Sequence, residues 1–325
     1  FHVLGVNVAM SNFTVTNGDA QVGAMMNGGG VLVNSNATAN MNLVHLTNNN
    51  ADNGGALYVD AFGPMLGVVS FTNGVANGNT AMEGGAFYSK GDLTIGNGSL
   101  TNNSATESGG IYSEGVMVVN DSVIANNTAV QNAGGMQVAA FDPALSTVRI
   151  TRSSIQNNVA GVSGGGIYHT AGALTVRDST ISGNIANTTN TLINPPVIGG
   201  GIGNMGGSLE VINTTISGNT ITTGAGGAFA LINGTANFVN ATVAFNTAET
   251  GGGLYQYGGM PAITLQNTIV VGNVSGDGQT DDIGGDINSN GNNIVQNPLG
   301  ALCLDPSDIT GVNPNLGALA LNAPG

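Results

Sequence analysis

Basic side chains are scarce in this chain, and their scarcity limits the catalytic chemistry that the sequence could support. The 325 residues contain four of them, Lys90, Arg149, Arg152 and Arg177. An enzyme that cleaves acidic sugars needs paired carboxylates or a Ca²⁺ cluster, together with Lys or Arg to neutralise the uronate. Arg149, Arg177 and His169 could share such a patch with Asp178. A polysaccharide lyase or glycoside hydrolase acting on an acidic glycan is therefore one hypothesis, although a histidine after an outward tyrosine is usually just solvated.

An acidic run near the C-terminus is the second candidate for chemistry. It gathers four carboxylates within ten residues, Asp277, Asp281, Asp282 and Asp286. Oxygen ligands at this density are typical of Ca²⁺ sites, so calcium is the one cofactor that the sequence suggests. The spacing matches neither the EF-hand loop nor the Gly-Gly-x-Gly-x-Asp repeat, and a solvated acidic turn is the other interpretation.

A recurring asparagine indicates a structural use for its amide. Nine copies can be aligned, with Gly18 in the same place in an earlier copy: Asn49, Asn79, Asn103, Asn127, Asn158, Asn184, Asn219, Asn246 and Asn273. Amides that stack at a corner can hydrogen-bond the backbone and one another. We therefore predict that these asparagines form a structural ladder rather than a binding site.

Apolar residues recur at fixed distances before each of these asparagines. Positions ten and eight before it alternate, as in Leu174-Thr175-Val176, and a third apolar residue lies three before it. A Gly-Gly pair followed by an apolar residue starts a further strand in most copies. A fixed period of this length is the signature of a solenoid. The sequence predicts an all-β protein, a right-handed single-stranded parallel β-helix of about ten coils with three short strands per coil.

The repeat also predicts the domain organisation. One period runs from about residue 6 to 275, so we interpret residues 1–275 as one parallel β-helix. Residues 276–325 are first acidic and then rich in Asn, Pro and Gly, which indicates an irregular C-terminal cap or extension. A rod of this kind has unpaired strand edges at its ends, which must be capped or must stack on another chain.

A second polar column lies six residues before the asparagine. It places Arg152 between Asp121 and Asp178 in neighbouring coils. We predict an exposed ion-pair stack there, which supports the alignment more than it stabilises the fold.

Insertions lengthen two coils at one corner, after the Gly-Gly strand. They contain Ala61-Phe62-Gly63-Pro64 and Ala140-Phe141-Asp142-Pro143. Insertions in repeat proteins vary freely and often bind partners. A binding edge is therefore predicted at this corner, with inert loops as the alternative; its residues are Phe62, Pro64, Phe141, Pro143, Tyr255 and Tyr257.

Tyrosines follow the Gly-Gly strand entry in five coils. They are Tyr58, Tyr88, Tyr112, Tyr168 and Tyr255. Strand alternation points them outward, where they would either stack across strands or form a surface for carbohydrate or a partner.

Composition excludes several classes of function. The net charge of −14 opposes binding to nucleic acid and to anionic membranes, and no stretch is long or apolar enough to cross a bilayer. The chain begins at Phe1 inside the first coil, which suggests a processed or partial chain. The single cysteine, Cys303, is interpreted as a small buried residue, with an intermolecular bridge or a reactive thiol as alternatives.

The repeats resemble known surface proteins. Gly-Gly-Gly-Ile-Tyr (164–168) and Ser-Thr-Ile-Ser-Gly-Asn (179–184) are similar to right-handed parallel β-helix repeats of bacterial and archaeal surfaces. Gly-Gly-Ala-Leu (54–57) and Gly-Gly-Ala-Phe (84–87) resemble repeats of polymorphic outer membrane proteins. The run from Asp282-Ile-Gly to Asn313-Pro-Asn-Leu-Gly317 resembles the end of secreted β-helix proteins with a choice-of-anchor module.

The resemblance implies a secreted or cell-surface location and a structural or adhesive role. We expect self-association end to end into filaments, with strand edges of one copy completing the next, or binding of a cell-surface partner such as a glycan.

Overall fold

The strands of the protein wind into a parallel β-solenoid of about ten turns. The computed structural model describes residues 1–20, 26–140, 142, 146–187, 197–258, 262–278, 281–298 and 305–317, and the backbone of 302–303. Three parallel sheets run along the rod, because each short strand pairs with its counterpart in the next coil. The predicted fold class is confirmed, with a fourth short strand in most coils because one of the three sheets bends into two ranks of strands.

Sheet 1 contains the strands that follow the Gly-Gly corner. Its eleven strands, in spatial order, are His2–Val3, Val31–Val33, Leu57–Val59, Phe87–Ser89, Ile111–Ser113, Met136–Val138, Ile167–His169, Ile202–Asn204, Phe229–Leu231, Leu254–Gln256 and Ile283–Gly284.

Sheet 2 carries two ranks of strands that meet at a bend. The first rank is Asn7–Thr16, Thr38–Thr47, Val68–Thr72, Asp92–Gly96, Met117–Asn120, Thr147–Thr151, Ala173–Arg177, Ser208–Ile212, Thr235–Val239, Ile263–Gln266, Ile287–Ser289 and Leu302–Cys303. The first two strands of this rank run on across the bend. The second rank is Val75–Asn77, Ser99–Thr101, Val123–Ala125, Ser154–Gln156, Thr180–Ser182, Thr215–Ser217, Thr242–Ala244, Ile269–Val271, Ile294–Val295 and Ile309–Thr310.

Sheet 3 follows the recurring asparagine. Its strands are Thr80–Glu83, Ser104–Glu107, Thr128–Ala129, Val159–Ala160, Ile185–Ala186, Thr220–Ile221, Thr247–Ala248 and Val274–Ser275. A separate antiparallel hairpin, Ala61–Phe62 with Met65–Leu66, is formed by the first insertion. Within the described residues, no helix has the length and apolar character needed to cross a membrane.

The core is a column of stacked apolar side chains inside the coils. Val119 pairs with Ile150, and Ile150 with Val176, in consecutive coils, and all three are fully buried. Alternation in the strands turns every second residue into this column, which the sequence spacing predicted. Each coil therefore buries its apolar face only against its neighbours.

The bend in sheet 2 explains the polar column six residues before the asparagine. Residues at this position adopt a left-handed conformation, with φ of 50° at Asp121, 46° at Arg152 and 50° at Asp178. Asn and Asp tolerate this region better than other residues with a side chain, which accounts for their recurrence. Arg152 pairs with Asp121 at 2.7 Å and lowers the pKa of that carboxyl, whereas Asp178 accepts a hydrogen bond from Asn213. The predicted stack thus contains the Asp121–Arg152 pair.

The corner before sheet 1 has two different requirements. Its first residue has a positive φ, and Ser108 (59°) and Ala133 (60°) occupy it in two coils, so glycine is not obligatory there. At the second residue the backbone of the next coil approaches closely. A Cβ on Gly134 would lie 2.5 Å from the Gly165 carbonyl oxygen and 2.6 Å from Val159 backbone atoms. Close packing between coils, not chain flexibility, requires this second glycine.

Short strands continue the stack beyond residue 275. Ile283–Gly284 extends sheet 1, and Ile287–Ser289, Ile294–Val295, Leu302–Cys303 and Ile309–Thr310 extend sheet 2. Part of the region that the sequence suggested to be an irregular cap therefore pairs with the last coils. The side chain of Cys303 lies outside the described residues.

Candidate functional site

The recurring asparagines form a continuous hydrogen-bonded column, which we call the amide ladder (Asn49 to Asn273). From Asn79 onward, each Oδ1 accepts the backbone N–H and the Nδ2–H of the asparagine in the preceding coil, at 2.9–3.0 and 2.8–3.0 Å, and Asn49 Oδ1 accepts the backbone N–H of Gly18. Each Nδ2 also donates to a backbone carbonyl of the preceding coil, such as Leu100 for Asn127. All nine side chains are at most 4% exposed. Burial leaves them no surface with which to bind a ligand.

A second column, the hydroxyl ladder, lies five residues before the asparagine and was not singled out from the sequence. Its members are Ser122, Ser153, Ser179, Thr214 and Thr268. Each hydroxyl accepts the backbone N–H of the preceding coil at 3.0–3.4 Å and donates to the carbonyl two residues earlier in its own coil. The signal in the sequence is a Ser/Thr column, which Ala241 interrupts.

Both ladders end on a carboxylate at the C-terminal end of the rod. Asp282 Oδ1 accepts the backbone N–H of Asn273 at 3.1 Å and its Nδ2–H at 2.8 Å, while Oδ2 accepts the N–H of Asn297 at 2.7 Å. Asp308 Oδ1 accepts the backbone N–H and the Nδ2–H of Asn293 in the same way. Asn293 Oδ1 in turn accepts the backbone N–H of Thr268, which is the last member of the hydroxyl ladder. A carboxylate offers only acceptors, so it suits the final rung, beyond which no further amide has to be bonded.

The predicted calcium ligands take part to different extents in this C-terminal cap, where Asp282 and Asp308 end the two ladders. Asp282 is 1% exposed, and burial raises the pKa of its carboxyl. Asp281 accepts hydrogen bonds from Ser275 and Asn297, and Asp277 also contacts Ser275, whereas Asp286 is exposed. Among the described residues, no three or more His, Cys, Asp or Glu side chains are grouped as metal ligands. Calcium binding by this run remains a prediction.

Replacing Asp282 with alanine is expected to open the C-terminal cap. Three buried donors on Asn273 and Asn297 lose their acceptor, so the free energy of opening this segment should fall by about 3 kcal/mol. Hydrogen exchange at the Asn273 and Asn297 amides measures that loss. The control Asp286→Ala removes an exposed carboxylate from the same run and should leave both amides protected; equal exchange in the two variants would contradict the capping role.

Three of the five predicted tyrosines of sheet 1, Tyr58, Tyr88 and Tyr112, form a packed stack instead of an exposed platform. Ring centroids of Tyr58 and Tyr88 are 5.2 Å apart, and those of Tyr88 and Tyr112 are 4.8 Å apart with an interplanar angle of 3°. Tyr58 and Tyr88 are 4% and 5% exposed, and the Tyr88 hydroxyl donates to Glu114 at 2.7 Å. Burial raises the pKa of Tyr112 to about 12. The ring faces contact one another, so they are not free to stack on sugars.

The first insertion forms one wall of a cleft beside this stack. The cleft has a volume of about 480 Å³ and is lined by Phe62 and Leu66 from the hairpin, Lys90, Asp92, Glu114 and Val116 from the next two coils, and Asp142 and Ser146 from the second insertion. The two insertions follow the sheet 1 strands Leu57–Val59 and Met136–Val138, which are three strand spacings, or about 14 Å, apart. Two coils without an insertion lie between them and form the floor. We call this feature the lateral cleft.

The lateral cleft combines apolar walls with charge. The Phe62 side chain is 71% exposed, and Leu66 is 39% exposed. One ammonium and three carboxylates line the cleft, which gives it a formal charge of −2. Burial raises the pKa of Asp92, while the Lys90 ammonium lies 5.7 Å from the Tyr88 ring centroid. The cleft is therefore an acidic pocket with an aromatic wall.

Three other residues of the predicted binding edge, Pro64, Tyr255 and Tyr257, do not line this cleft. Pro64 is exposed at the tip of the hairpin, and Phe141 and Pro143 lie outside the described residues. Tyr255 and Tyr257 contact each other edge to face at 4.7 Å, and Tyr257 lines a separate cavity of about 380 Å³. Seven strand spacings, or about 34 Å, separate that corner from the hairpin. The shared corner thus carries two separate sites, and binding at either remains a prediction.

His169 does not belong to an exposed basic patch. It lies next to Tyr168 in the strand Ile167–His169 and points into the coil, where it is 0% exposed. Nε2 lies 3.0 Å from the Ala171 carbonyl oxygen, and burial lowers the pKa of the imidazole to about 4. Arg149, Arg177 and Asp178 are exposed on sheet 2. The interpretation of His169 as a solvated residue is wrong, because strand alternation turns it inward.

Acid is expected to destabilise the fold through His169. The unfolded chain takes up a proton near pH 6.5, whereas the folded imidazole stays neutral to about pH 4, so stability falls as the pH drops through this window. The loss between pH 7 and pH 4 is about 3 kcal/mol, since one pKa unit corresponds to 1.36 kcal/mol. Urea unfolding of wild type and His169→Gln at both pH values measures it.

Between pH 7 and pH 4, wild type should lose about 3 kcal/mol more of its free energy of unfolding than His169→Gln does. Glutamine occurs at the matching place in another coil, as Gln256, so the variant is expected to fold. His45→Gln, at an exposed position, should keep the wild-type pH dependence. Identical pH profiles for wild type and His169→Gln would show that the buried imidazole does not control the acid response.

No protein-family model matches the chain, and neither a curated protein nor a solved structure resembles it significantly. The class of protein is thus defined by its own geometry, which is a parallel β-solenoid with internal polar ladders. The resemblance to polymorphic outer membrane protein repeats and to choice-of-anchor segments stays a prediction.

Proposed function

We propose that this β-solenoid is a rigid structural and adhesive element of an extracellular or cell-surface protein, and that copies of it associate end to end into filaments. The observation that carries the proposal is the unbroken amide ladder, whose nine buried rungs tie each coil to the next. Ten coils at about 4.8 Å give a rod of about 50 Å. Such a construction favours a mechanical role, because its buried polar groups are used to hold the coils in line.

Features of the first coil support end-to-end association. Among the described residues, the strand Asn7–Thr16 pairs on one side only, with Thr38–Thr47. Leu4 and Val6 beside it are 55% and 53% exposed. A strand edge with apolar neighbours can pair with a further strand, whether that strand belongs to another copy or to the same polypeptide. The composition, rich in Asn, Thr and Ser and almost without cysteine, fits an extracellular location.

Negative-stain electron microscopy of the purified chain over a range of concentrations tests this proposal. Rods longer than a single copy should appear as the concentration rises. Leu4→Asp with Val6→Asp should abolish them, because the added carboxylates repel an already acidic partner. Val130→Asp is the matched control, since Val130 is 69% exposed on the side of the rod and should not affect assembly. Dispersed single particles at every concentration would refute filament formation.

An enzyme acting on an acidic glycan receives less support from the geometry. The lateral cleft holds three carboxylates against one lysine, so a uronate would meet repulsion where it needs a counter-ion. Arg149 and Arg177 lie on sheet 2, apart from this cleft, and His169 is buried.

A further inference from the structure

We infer that the lateral cleft binds short glycans that carry free amino groups. This inference goes beyond the structural role and does not require the rod to self-associate. The cleft volume of about 480 Å³ lies in the range of small-ligand sites, and the first insertion supplies a wall above a floor formed by two coils of the solenoid. Backbone hydrogen bonds tie the coils of this floor together, so the floor is pre-organised, which lowers the entropic cost of binding.

The apolar wall selects the shape of the ligand. Phe62 is 71% exposed at the hairpin, so the face of its ring is accessible to a ligand in the cleft. Leu66 and Val116 extend this apolar surface into the cleft. A sugar ring presents a face of C–H groups and a rim of polar groups, so it can pack on Phe62 while its rim reaches the carboxylates. The stacked tyrosines next to the cleft cannot take this role, since their faces are already in contact.

The charge of the cleft selects which polar groups the rim of the sugar should carry. Asp92, Glu114 and Asp142 face one cation, Lys90, and the whole chain carries a charge of −14. Glu114 Oε1 already accepts the Tyr88 hydroxyl, which fixes the direction of the carboxylate. A protonated amine gains both charge-assisted hydrogen bonds to carboxylates and a cation–π contact with Phe62. A neutral sugar gains neither, and a uronate is repelled.

Isothermal titration calorimetry on the whole chain tests this inference with three tetrasaccharides. The probes are a glucosamine tetramer, its N-acetylated form and an oligogalacturonate. The amine-bearing tetramer should bind at least roughly tenfold more tightly than the acetylated one, and the acidic one should not bind. Binding should weaken with salt and as the pH rises past the pKa of the amines. Equal affinity for the first two probes, or preference for the acidic one, would overturn the inference.

Variants separate the cleft from general attraction to an acidic protein. Phe62→Ala should weaken binding of the glucosamine tetramer by roughly tenfold or more. Phe245→Ala removes a different aromatic side chain that is 45% exposed, and should leave binding unchanged. Asp92→Asn with Glu114→Gln should remove the preference for the amine. Unchanged binding by Phe62→Ala, or an equal loss in Phe245→Ala, would place binding outside the cleft.

A peptide with lysines beside apolar residues is the competing ligand. A Lys-Leu-Lys-Leu tetrapeptide that binds as tightly as the sugar, and with the same dependence on Phe62, would overturn the glycan part of the inference. Because monomeric protein suffices for these titrations, failure here leaves filament formation untouched, and absence of filaments leaves the cleft untouched.

Discussion

Replacing Asn127 with alanine is expected to lower the free energy of unfolding by about 4 kcal/mol, since several buried polar groups lose their partners at once. Asn127 Oδ1 accepts the backbone N–H and the Nδ2–H of Asn103, and its own Nδ2–H bonds to the Leu100 carbonyl. None of these groups can reach water, because Asn103 is 1% exposed and Asn127 is fully buried. Urea unfolding measures the change.

The position of Asn127 in the middle of the rod increases the expected loss. Coils contact only their neighbours, so a broken rung uncouples the two halves of the solenoid and should lower the cooperativity of unfolding as well as the midpoint. Asn237→Ala is the matched control, because Asn237 is exposed in the strand Thr235–Val239 and faces away from the core. A loss in Asn127→Ala no greater than that in Asn237→Ala would mean that the ladder contributes nothing to stability.

Asn127→Asp distinguishes an internal rung from the last one. Aspartate keeps the Oδ1 acceptor, but its second oxygen faces the Leu100 carbonyl and Asn158 Oδ1, which both need a donor. At pH 7 this variant should be at least as unstable as Asn127→Ala, and acid should recover part of the loss by protonating the carboxyl. At Asp282 the same carboxylate is satisfied, because its three hydrogen-bond partners are all N–H donors. The chemistry of a rung thus follows from what lies on each side of it.

The spacing of residues was sufficient to predict the coils and the inner stack. It works because the period fixes both the strand pairing and the face on which a residue lies, as for Val119, Ile150 and Val176. Strand alternation also implies that His169 is buried, because it lies two residues after the inward Ile167. The preceding tyrosine nevertheless led to a different interpretation. An inference from the neighbouring residue was weaker than one from the period itself.

Other features depend on contacts that the period does not contain. Asp282 ends the amide ladder from only nine residues beyond Asn273, so it lies outside the register that located the other rungs. The burial of Tyr58 and Tyr88 arises from the side chains on either side, which are Leu32 and Tyr88 for Tyr58, and Tyr58 and Tyr112 for Tyr88. The lateral cleft requires two insertions from coils whose strands are three spacings apart, and sequence reasoning located the insertions at one corner without finding the space between them.

Two neighbouring substitutions at one corner should have very different effects. Gly134→Ala is expected to cost more than about 4 kcal/mol or to prevent folding, because its Cβ would overlap backbone atoms of Gly165 and Val159 in the next coil. Those atoms belong to the strand pairing, so no flexible side chain can move aside. Ala133→Gly, one residue earlier, removes a Cβ from a residue with φ of 60° and should change stability by less than about 1 kcal/mol.

Urea unfolding of the two variants beside wild type decides what the Gly-Gly corner is for. If glycine served only to let the chain turn, the position with positive φ would be the sensitive one, and Ala133 would already be a costly residue there. If the distance between coils is the constraint, only Gly134→Ala should fail, and the chain should tolerate alanine wherever the next coil is not in contact. Normal stability of Gly134→Ala would mean that the coils can separate at this corner without losing their hydrogen bonds. The glycine at the second position of the corner would then lose its physical explanation, and the coil spacing would have to be set elsewhere, by the amide ladder and the apolar stack alone.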